Sequence, residues 1–184
     1  MNYAAENGKV SFMLGDNQLM FDKDPAARIQ QVLNQYSGFK PNAIHLDVEP
    51  HTFPEWGTEK QKLINQYLDF VGKVSTYCDA NGLELEVSIP PHYGAEVVDK
   101  LLTLTDRVFF MCYENTKTEY LVNKLTTYLD NGRNKIVVAF RTEDFEGRIA
   151  MEEKVNEIEK LTGITNFAYH DLRRIIAFDR TSIE

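Results

Sequence analysis

The sequence predicts an α/β fold in which parallel strands alternate with helices, most simply an incomplete (β/α)₈ TIM-barrel-like domain. Apolar, β-branched runs alternate with amphipathic stretches along the whole chain, a pattern typical of βαβ units and a parallel sheet. In addition, polar and aromatic residues follow the apolar runs at their carboxyl ends. That placement is typical of a barrel whose active site lies at the C-terminal ends of its strands.

Six apolar runs have the length and composition of buried strands, at 10–14, 43–49, 83–89, 107–113, 135–140 and 164–169. Five stretches between them have helical periodicity, at 24–36, 58–80, 95–104, 119–129 and 148–161. Asp24 followed by Pro25 is a typical helix start. Asn81-Gly82 follows the second helical stretch and Gly163 follows the fifth. Glycine readily adopts the left-handed conformation that ends a helix, so both helices are predicted to end there.

The run 43–49 is unusual among these strands because it contains ionisable residues. Side chains alternate between the two faces of a strand, so His45, Asp47 and Glu49 are predicted to share one face, with apolar residues on the other. Burial of carboxylates costs several kcal/mol unless they are paired or hydrogen-bonded. We therefore predict that this strand belongs to an active site.

The strand count predicts that the barrel is incomplete. About six βα units are visible in 184 residues, whereas a complete barrel has eight units and typically about 250 residues. We expect a single domain over 1–184 that lacks about two N-terminal units. Its first and last strands would then leave sheet edges, covered by the chain itself or by another copy in a homo-oligomer. An open six-stranded parallel α/β sheet is the alternative.

The composition excludes several classes of function. The net charge is −8 and the basic residues are scattered, so we predict neither nucleic-acid nor membrane binding. The start of the chain resembles no signal peptide, which predicts a cytoplasmic protein as the sequence is written. Leu14-Gly15-Asp16-Asn17 is not a glycine-rich dinucleotide-binding loop, and we predict no cofactor. Cys78 and Cys112 are predicted to be buried thiols.

Two short segments resemble a known enzyme family. Residues 42–49 are similar to the D-x-x-D-x-D-x-E motif that ends the fourth strand of chitinase-like, family 18 glycoside hydrolases, with Asn42 and His45 in place of the first two acids. Residues 111–114 resemble the M-x-Y-D motif of that family's sixth strand. One strand separates the two motifs in this sequence, as in that family. The segments 45–51, with Trp56, and 167–170 resemble an uncharacterised group of bacterial barrel proteins related to such hydrolases.

The resemblance implies a glycoside hydrolase and roles for four residues. Glu49 matches the general acid that protonates the glycosidic oxygen, a role that needs a carboxyl with a raised pKa. Asp47 matches the carboxylate that supports a mechanism assisted by the substrate's acetamido group. It lies about 6–7 Å from Glu49 along a strand face, close enough to raise one of the two pKa values. Tyr113 would donate a hydrogen bond to the substrate carbonyl, and Glu114 would line the floor.

The remaining strand-end and loop residues are candidates for binding the carbohydrate substrate. Together with Glu114 they are His45, His51, Trp56, Ser88, Arg141 and His170. Several of these residues have a structural alternative. His45 is equally consistent with a hydrogen-bonded core residue, Trp56 could hold its loop in place instead of stacking on a sugar, and Arg141 could form an ion pair with the acids.

Two other functions stay open. The chain could be a catalytically inactive barrel, or a barrel fragment, that binds a carbohydrate or a protein. It could also be a hydrolase that depends on a divalent metal, since His45, Asp47, Glu49 and His51 would share one face if the strand continued through Pro50. Ligands along one extended strand span too far to surround a single ion, however, so we predict no metal site.

Overall fold

The structure is a computed structural model that describes residues 8–36, 38 and 40–181. All six predicted strands are present in it. They are β1 (Ser11–Leu14), β2 (Ala43–Leu46), β3 (Glu84–Ile89), β4 (Arg107–Met111), β5 (Ile136–Arg141) and β6 (Phe167–His170). The prediction about a signal peptide concerns residues 1–7, which lie outside the described residues.

The strand order favours a barrel-type arrangement. The six strands follow one another in the sheet in the order of the sequence, β1 to β6. A doubly wound sheet has a point at which the strand order reverses, and no such point occurs among the described strands. An unreversed order of parallel strands is the order found in a (β/α)₈ barrel.

Among the described residues, seven α-helices connect and follow these strands. They are α1 (Pro25–Asn34), α2 (Trp56–Asn81), α3 (Ala95–Leu104), α4 (Thr118–Leu125), α5 (Leu129–Gly132), α6 (Arg148–Thr162) and α7 (Leu172–Thr181). The five predicted helices are confirmed with small changes of boundary. The short α5 and the terminal α7 were not predicted. None of the described helices combines the length and apolar character needed to cross a membrane.

The described chain divides into two compact units. The first contains the residues up to Ser88 together with Lys100–Arg107, and the second contains Ile89–Asp99 and the residues from Val108 onward. The assignment of 1–184 to one domain stays a prediction.

In the first unit, β2 lies between β1 and β3 in a parallel sheet. His45 is opposite Met13 of β1 and opposite Glu86 of β3. All four residues of β2 are buried, as expected for a strand covered on both faces. Asp24 caps α1 by accepting a hydrogen bond from the Ala27 N–H at 3.0 Å. The helix α2 ends at Gly82, whose φ of +65° favours glycine.

In the second unit, β5 lies between β4 and β6, again in parallel register. Its apolar core is rich in aromatic contacts. Phe110 stacks on Tyr128 with ring centroids 5.6 Å apart, and Phe140 contacts Phe145 edge-on at 5.4 Å. Cys112 is buried, and burial raises its pKa to about 12, as it also does for Cys78. Both cysteines are therefore neutral thiols packed in the interior.

The predicted extent of the second strand was wrong at its carboxyl end. β2 ends at Leu46, although the Asp47 N–H still donates to the Leu14 carbonyl at 2.9 Å. Beyond Asp47 the chain leaves the sheet, because the Glu49 N–H donates to the side chain of Asn17 and Pro50 begins a 3₁₀ turn over Pro50–Thr52. Asp47 and Glu49 thus follow the strand directly instead of belonging to it.

Candidate active site

Two acids lie at the carboxyl end of β2, where catalytic residues of parallel α/β barrels are found. Asp47 and Glu49 are both half-buried, while Val48 between them is fully buried. The Oδ1 atom of Asp47 is inaccessible to solvent and has no hydrogen-bond partner within the described part of the chain. A buried carboxylate oxygen without a partner is costly and calls for an explanation.

The backbone of Glu49 is held by a closed set of hydrogen bonds. Its N–H donates to Asn17 Oδ1 at 2.7 Å, and Asn17 Nδ2 donates to Thr52 Oγ1 at 2.9 Å. Thr52 Oγ1 in turn donates to the Glu49 carbonyl at 2.8 Å. Asn17 lies in the 3₁₀ turn Asn17–Phe21 that follows β1. Sequence reasoning missed it, although a polar residue just after the first strand was a usable signal.

The environment of Glu49 favours the protonated form of its carboxyl. Partial burial, and then the negative charge of Asp47, raise the pKa of Glu49 above its ordinary value. Both effects act against ionisation of a carboxyl. A proton donor at a glycosidic bond needs a raised pKa of this kind.

A buried polar cluster lies on β2 and β3. The side chain of His45 is buried, with Nδ1 3.1 Å from Glu86 Oε2 and Nε2 2.8 Å from Ser88 Oγ. Ser11 Oγ donates to the same oxygen of Glu86 at 2.8 Å, and Arg107 Nη1 lies 3.5 Å from Glu86 Oε1. These contacts fit the alternative in which His45 is a hydrogen-bonded core residue. Contact of His45 or Ser88 with a substrate stays a prediction.

Glu86 is the central acid of this cluster, and sequence reasoning missed it. Burial opposes its ionisation, but hydrogen bonds from His45 and Ser11, together with the charges of His45 and Arg107, hold the pKa of Glu86 below its ordinary value. Glu86 is therefore a buried carboxylate with several partners. The alternation of Glu84, Glu86 and Ser88 along one strand was a signal that could have identified it.

His51 and Trp56 lie in the segment that follows Glu49. His51 is in the turn Pro50–Thr52, and its ring centroid is 6.2 Å from that of Trp56, which begins α2. Burial lowers the pKa of His51, so its ring is uncharged near neutral pH. Lys60 Nζ lies 5.3 Å from the centroid of the Trp56 ring. These contacts fit the alternative in which Trp56 holds its loop, and stacking on a sugar stays a prediction.

The second unit groups the other predicted residues at the carboxyl ends of β4, β5 and β6. The ring of Tyr113 lies 6.0 Å from that of His170. Arg141 donates to Asp144 Oδ1 from Nη2 at 2.6 Å and from Nε at 3.1 Å, and its Nη1 lies 3.9 Å from Glu114 Oε1. Asp144, which sequence reasoning missed, therefore anchors Arg141 within this unit.

Glu114 has an unusual backbone conformation. Its φ is +64°, in the left-handed region that residues other than glycine seldom adopt. Its N–H donates to Asp144 Oδ2 at 2.7 Å, which helps to hold this conformation. Strained residues of this kind cluster at functional sites, and the side chain of Glu114 is largely exposed.

The premise of the metal alternative does not hold. The strand stops at Leu46 and His51 lies in a turn, so the four proposed ligands do not share one strand face. Both ring nitrogens of His45 have partners in Glu86 and Ser88. Within the part of the chain that the structure describes, no three His, Cys, Asp or Glu side chains are grouped as metal ligands would be.

Comparison with known proteins identifies the fold. No model of a protein family and no curated protein matches the sequence. Among solved structures, an endo-β-N-acetylglucosaminidase from Cordyceps militaris matches at a TM-score of 0.59 and 12% identity, over 93% of this chain and 61% of that protein. The PgaB (BpsB) glycoside hydrolase domain from Bordetella bronchiseptica matches at 0.58 and 12% identity, over 100% of this chain and 66% of that domain.

A chitinase from Chromobacterium violaceum ATCC 12472 also matches, at a TM-score of 0.49 and 18% identity, over 73% of this chain and 48% of that one. The chain thus spans between about half and two thirds of the length of these structures. The two stronger matches are glycoside hydrolases, and together with the strand order they confirm the predicted TIM-barrel-like α/β fold with six strands. The resemblance predicted from residues 42–49 and 111–114 is confirmed at the level of the fold.

Proposed function

We propose that this chain is a glycoside hydrolase domain in which Glu49 is the proton donor. The observation that carries the proposal is the raised pKa of Glu49, caused by burial and by Asp47, at the carboxyl end of β2. The similarity of the fold to that of solved glycoside hydrolases supports the proposal. The alternative is an inactive domain of the same fold that only binds a carbohydrate.

The reaction that we propose is hydrolysis of one glycosidic bond. The protonated Glu49 carboxyl donates to the bridging oxygen as the bond from that oxygen to the anomeric carbon breaks, and the electron pair of the bond stays on the oxygen of the leaving sugar. Water then adds to the anomeric carbon and returns a proton to the Glu49 carboxylate. One water is consumed, and two sugars with free hydroxyls are released.

Asp47 has the second role in this proposal. Its unpartnered Oδ1 is an acceptor for the N–H of an acetamido group, which would orient the acetamido oxygen towards the anomeric carbon. The name of the endo-β-N-acetylglucosaminidase with the same fold supports N-acetylglucosamine oligosaccharides as the first substrates to test. By the sequence resemblance, Tyr113 donates to the substrate carbonyl. The proposed sugar-binding residues are His45, His51, Trp56, Ser88, Glu114, Arg141 and His170.

The test is hydrolysis of N-acetylglucosamine oligosaccharides by the full chain, with the products separated by chromatography. Glu49→Gln removes the proton but keeps the shape of the side chain, and general acid catalysis contributes about 10²–10⁴-fold. We therefore expect activity to fall by at least about 100-fold. Glu153→Gln, at an exposed acid of α6, is the control and should keep full activity. Equal activity of Glu49→Gln and wild type would refute the role of Glu49. Binding without hydrolysis by wild type would favour the inactive alternative.

A further inference from the structure

A cavity lies beside the segment that carries Glu49. It has a volume of about 430 Å³ and is built entirely within the first unit, from the turn after β1, the loop after Pro50–Thr52 and the first three turns of α2. Its lining includes Gln18, Phe21, Phe53, Glu55, Leu63 and Gln66. Neither Asp47 nor Glu49 is among the lining residues, so the cavity is distinct from the candidate active site.

The apolar wall of this cavity consists of two aromatic rings and a leucine. Phe21 and Phe53 meet edge to face, with centroids 5.2 Å apart and an interplanar angle of 61°. Phe21 is 44% exposed although it is a large apolar residue, whereas Leu63 is buried. An exposed ring at the mouth of a cavity offers a face to the C–H groups of a ligand.

The polar side of the cavity is rich in acceptors. Gln66 Oε1 is inaccessible to solvent and has no hydrogen-bond partner in the described residues. Buried polar atoms are rarely left unsatisfied, and such an exception calls for an explanation. The carboxylate of Glu55 adds a further acceptor, and the Gln18 amide can donate as well as accept.

The charges exclude an anionic ligand. Lys62, the only basic residue of the lining, forms an ion pair with Glu59, which also lines the cavity. The pair is neutral as a whole and Glu55 leaves one negative charge, so the cavity repels phosphate and carboxylate groups. The cavity therefore combines an aromatic wall with several acceptors and has no unpaired cation in its lining. These features fit a ligand that carries many hydroxyl donors around an apolar ring face.

We propose that this cavity binds a neutral pyranose sugar, with a C–H face on Phe21 and a hydroxyl donating to Gln66 Oε1. Phe53 follows directly on the turn Pro50–Thr52, in which the Thr52 N–H donates to the Glu49 carbonyl. Gln18 follows Asn17, whose side chain accepts a hydrogen bond from the Glu49 N–H. Both chain segments that hold Glu49 therefore also form the cavity. The site goes beyond the proposed hydrolysis, because binding there requires no turnover.

Binding is measured by NMR titration of the full chain carrying Glu49→Gln, with N-acetylglucosamine tetramer, cellotetraose and maltotetraose as probes. We expect at least one of these sugars to shift the side-chain NH₂ resonances of Gln66 and the backbone resonances of Gln18 and Phe53. This readout needs no substitution in the cavity, so it holds even if a cavity variant fails to fold. The absence of such shifts with all three sugars would overturn the proposal.

Two variants test the contacts directly. Phe21→Ala removes the ring and Gln66→Leu removes the acceptor at similar volume, and each should weaken the binding that is reported by Gln18 about tenfold. Tyr36→Ala is the matched control, since Tyr36 is an aromatic residue of the first unit with 53% exposure that does not line this cavity. Undiminished binding in both cavity variants, or an equal loss in Tyr36→Ala, would refute the site.

The outcomes for the two proposals are distinguishable. Shifts at Gln66 without any hydrolysis by wild type would support the cavity site and contradict the proposed reaction. Hydrolysis by wild type, combined with shifts confined to the residues around Glu49, would support the reaction and overturn the cavity site.

Discussion

The Asn17 side chain, directly after β1, accepts a hydrogen bond from the backbone N–H of Glu49 at 2.7 Å. The two residues are 32 positions apart in the sequence, and the contact joins the segments that follow two neighbouring strands. It explains why the chain turns away from the sheet before Pro50. It also makes the position of the proposed proton donor dependent on a residue that takes no part in the chemistry.

Asn17→Ala should therefore reduce activity by misplacing Glu49. We expect a stability loss of about 1 kcal/mol from the missing hydrogen bonds, and a fall of about tenfold in kcat with the pH dependence still set by Glu49. Urea unfolding and steady-state hydrolysis measure the two effects. Asn42→Ala is the matched control, because Asn42 Oδ1 likewise accepts from a backbone N–H, that of Val10 at 2.9 Å. An equal fall in kcat for the control would show that the loss is general and not due to Glu49.

The charge of Asp47 should set part of the pH dependence of hydrolysis. Because burial and Asp47 raise the pKa of Glu49, wild-type activity should fall on the alkaline side as Glu49 loses its proton. Asp47→Asn removes the negative charge, lowers the pKa of Glu49 and should move this limb of the kcat/KM profile to lower pH. Burial is the larger cause of the raised pKa, so the pKa of Glu49 should stay above its ordinary value in this variant. An unmoved limb would exclude Asp47 as a source of the raised pKa.

The same raised pKa of Glu49 predicts a pH-dependent stability difference. Between the unfolded value of about 4.5 and the higher folded value, the native state binds more protons than the unfolded state, so wild-type stability declines with rising pH. Glu49→Gln does not titrate and lacks this decline. Urea unfolding at several pH values should therefore show the variant gaining stability relative to wild type above pH 4.5 and not below it. A constant difference across pH would contradict the raised pKa.

Glu86 should show the opposite behaviour. Its pKa is lowered despite burial, so its stabilising contribution is present above the unfolded value and is lost as the pH falls through the folded value. Glu86→Gln removes the buried carboxylate that His45 and Arg107 contact, and we expect a loss of about 3 kcal/mol in the free energy of unfolding at neutral pH. Glu84→Gln is the control on the same strand, because its carboxylate is partly exposed and should contribute about 1 kcal/mol or less. If chemical denaturation showed similar losses in the free energy of unfolding for Glu86→Gln and Glu84→Gln, the result would argue against a buried cluster.

Glu114→Gly should stabilise the protein. The φ of +64° is strained for glutamate and relaxed for glycine, so we expect a gain of about 0.5–1 kcal/mol in the free energy of unfolding. Glu143→Gly, at an exposed acid of the nearby turn Thr142–Asp144, lacks this strain and should be neutral or destabilising. Thermal unfolding compares the two. A loss of hydrolysis in Glu114→Gly without a loss of stability would support the proposed role of Glu114 in substrate binding.

The elements of the fold were largely predictable because their signals are local. Alternating apolar runs, the Asp24–Pro25 helix start and the glycines at 82 and 163 all act within a few residues. The helix α7 was missed even though its start has a local signal: Asp171 accepts from the Arg173 N–H at 2.9 Å through its side chain. Attention to Asp171 as a helix cap would have identified it.

The end of β2 and the partners of its polar residues were not predictable in this way. His45 is paired with Glu86, 41 residues away, and Ser11 reaches the same carboxylate across 75 residues. The composition of residues 43–49 is compatible with ion pairs, metal ligands or a proton donor. Parallel register, which brings β1 and β3 to either side of β2, decides which residues His45 contacts.

The positions of the strands and of most helices, and the strand end that carries the two acids, follow from the sequence alone, because side-chain periodicity and helix-end residues act over a few positions. The contacts of Glu49 with Asn17, of His45 with Glu86 and Ser88, and of Arg141 with Asp144 are seen only in the folded chain. Hydrogen bonds and burial depend on neighbours in space. These neighbours, and with them the raised pKa of Glu49, exist only once the strands are paired.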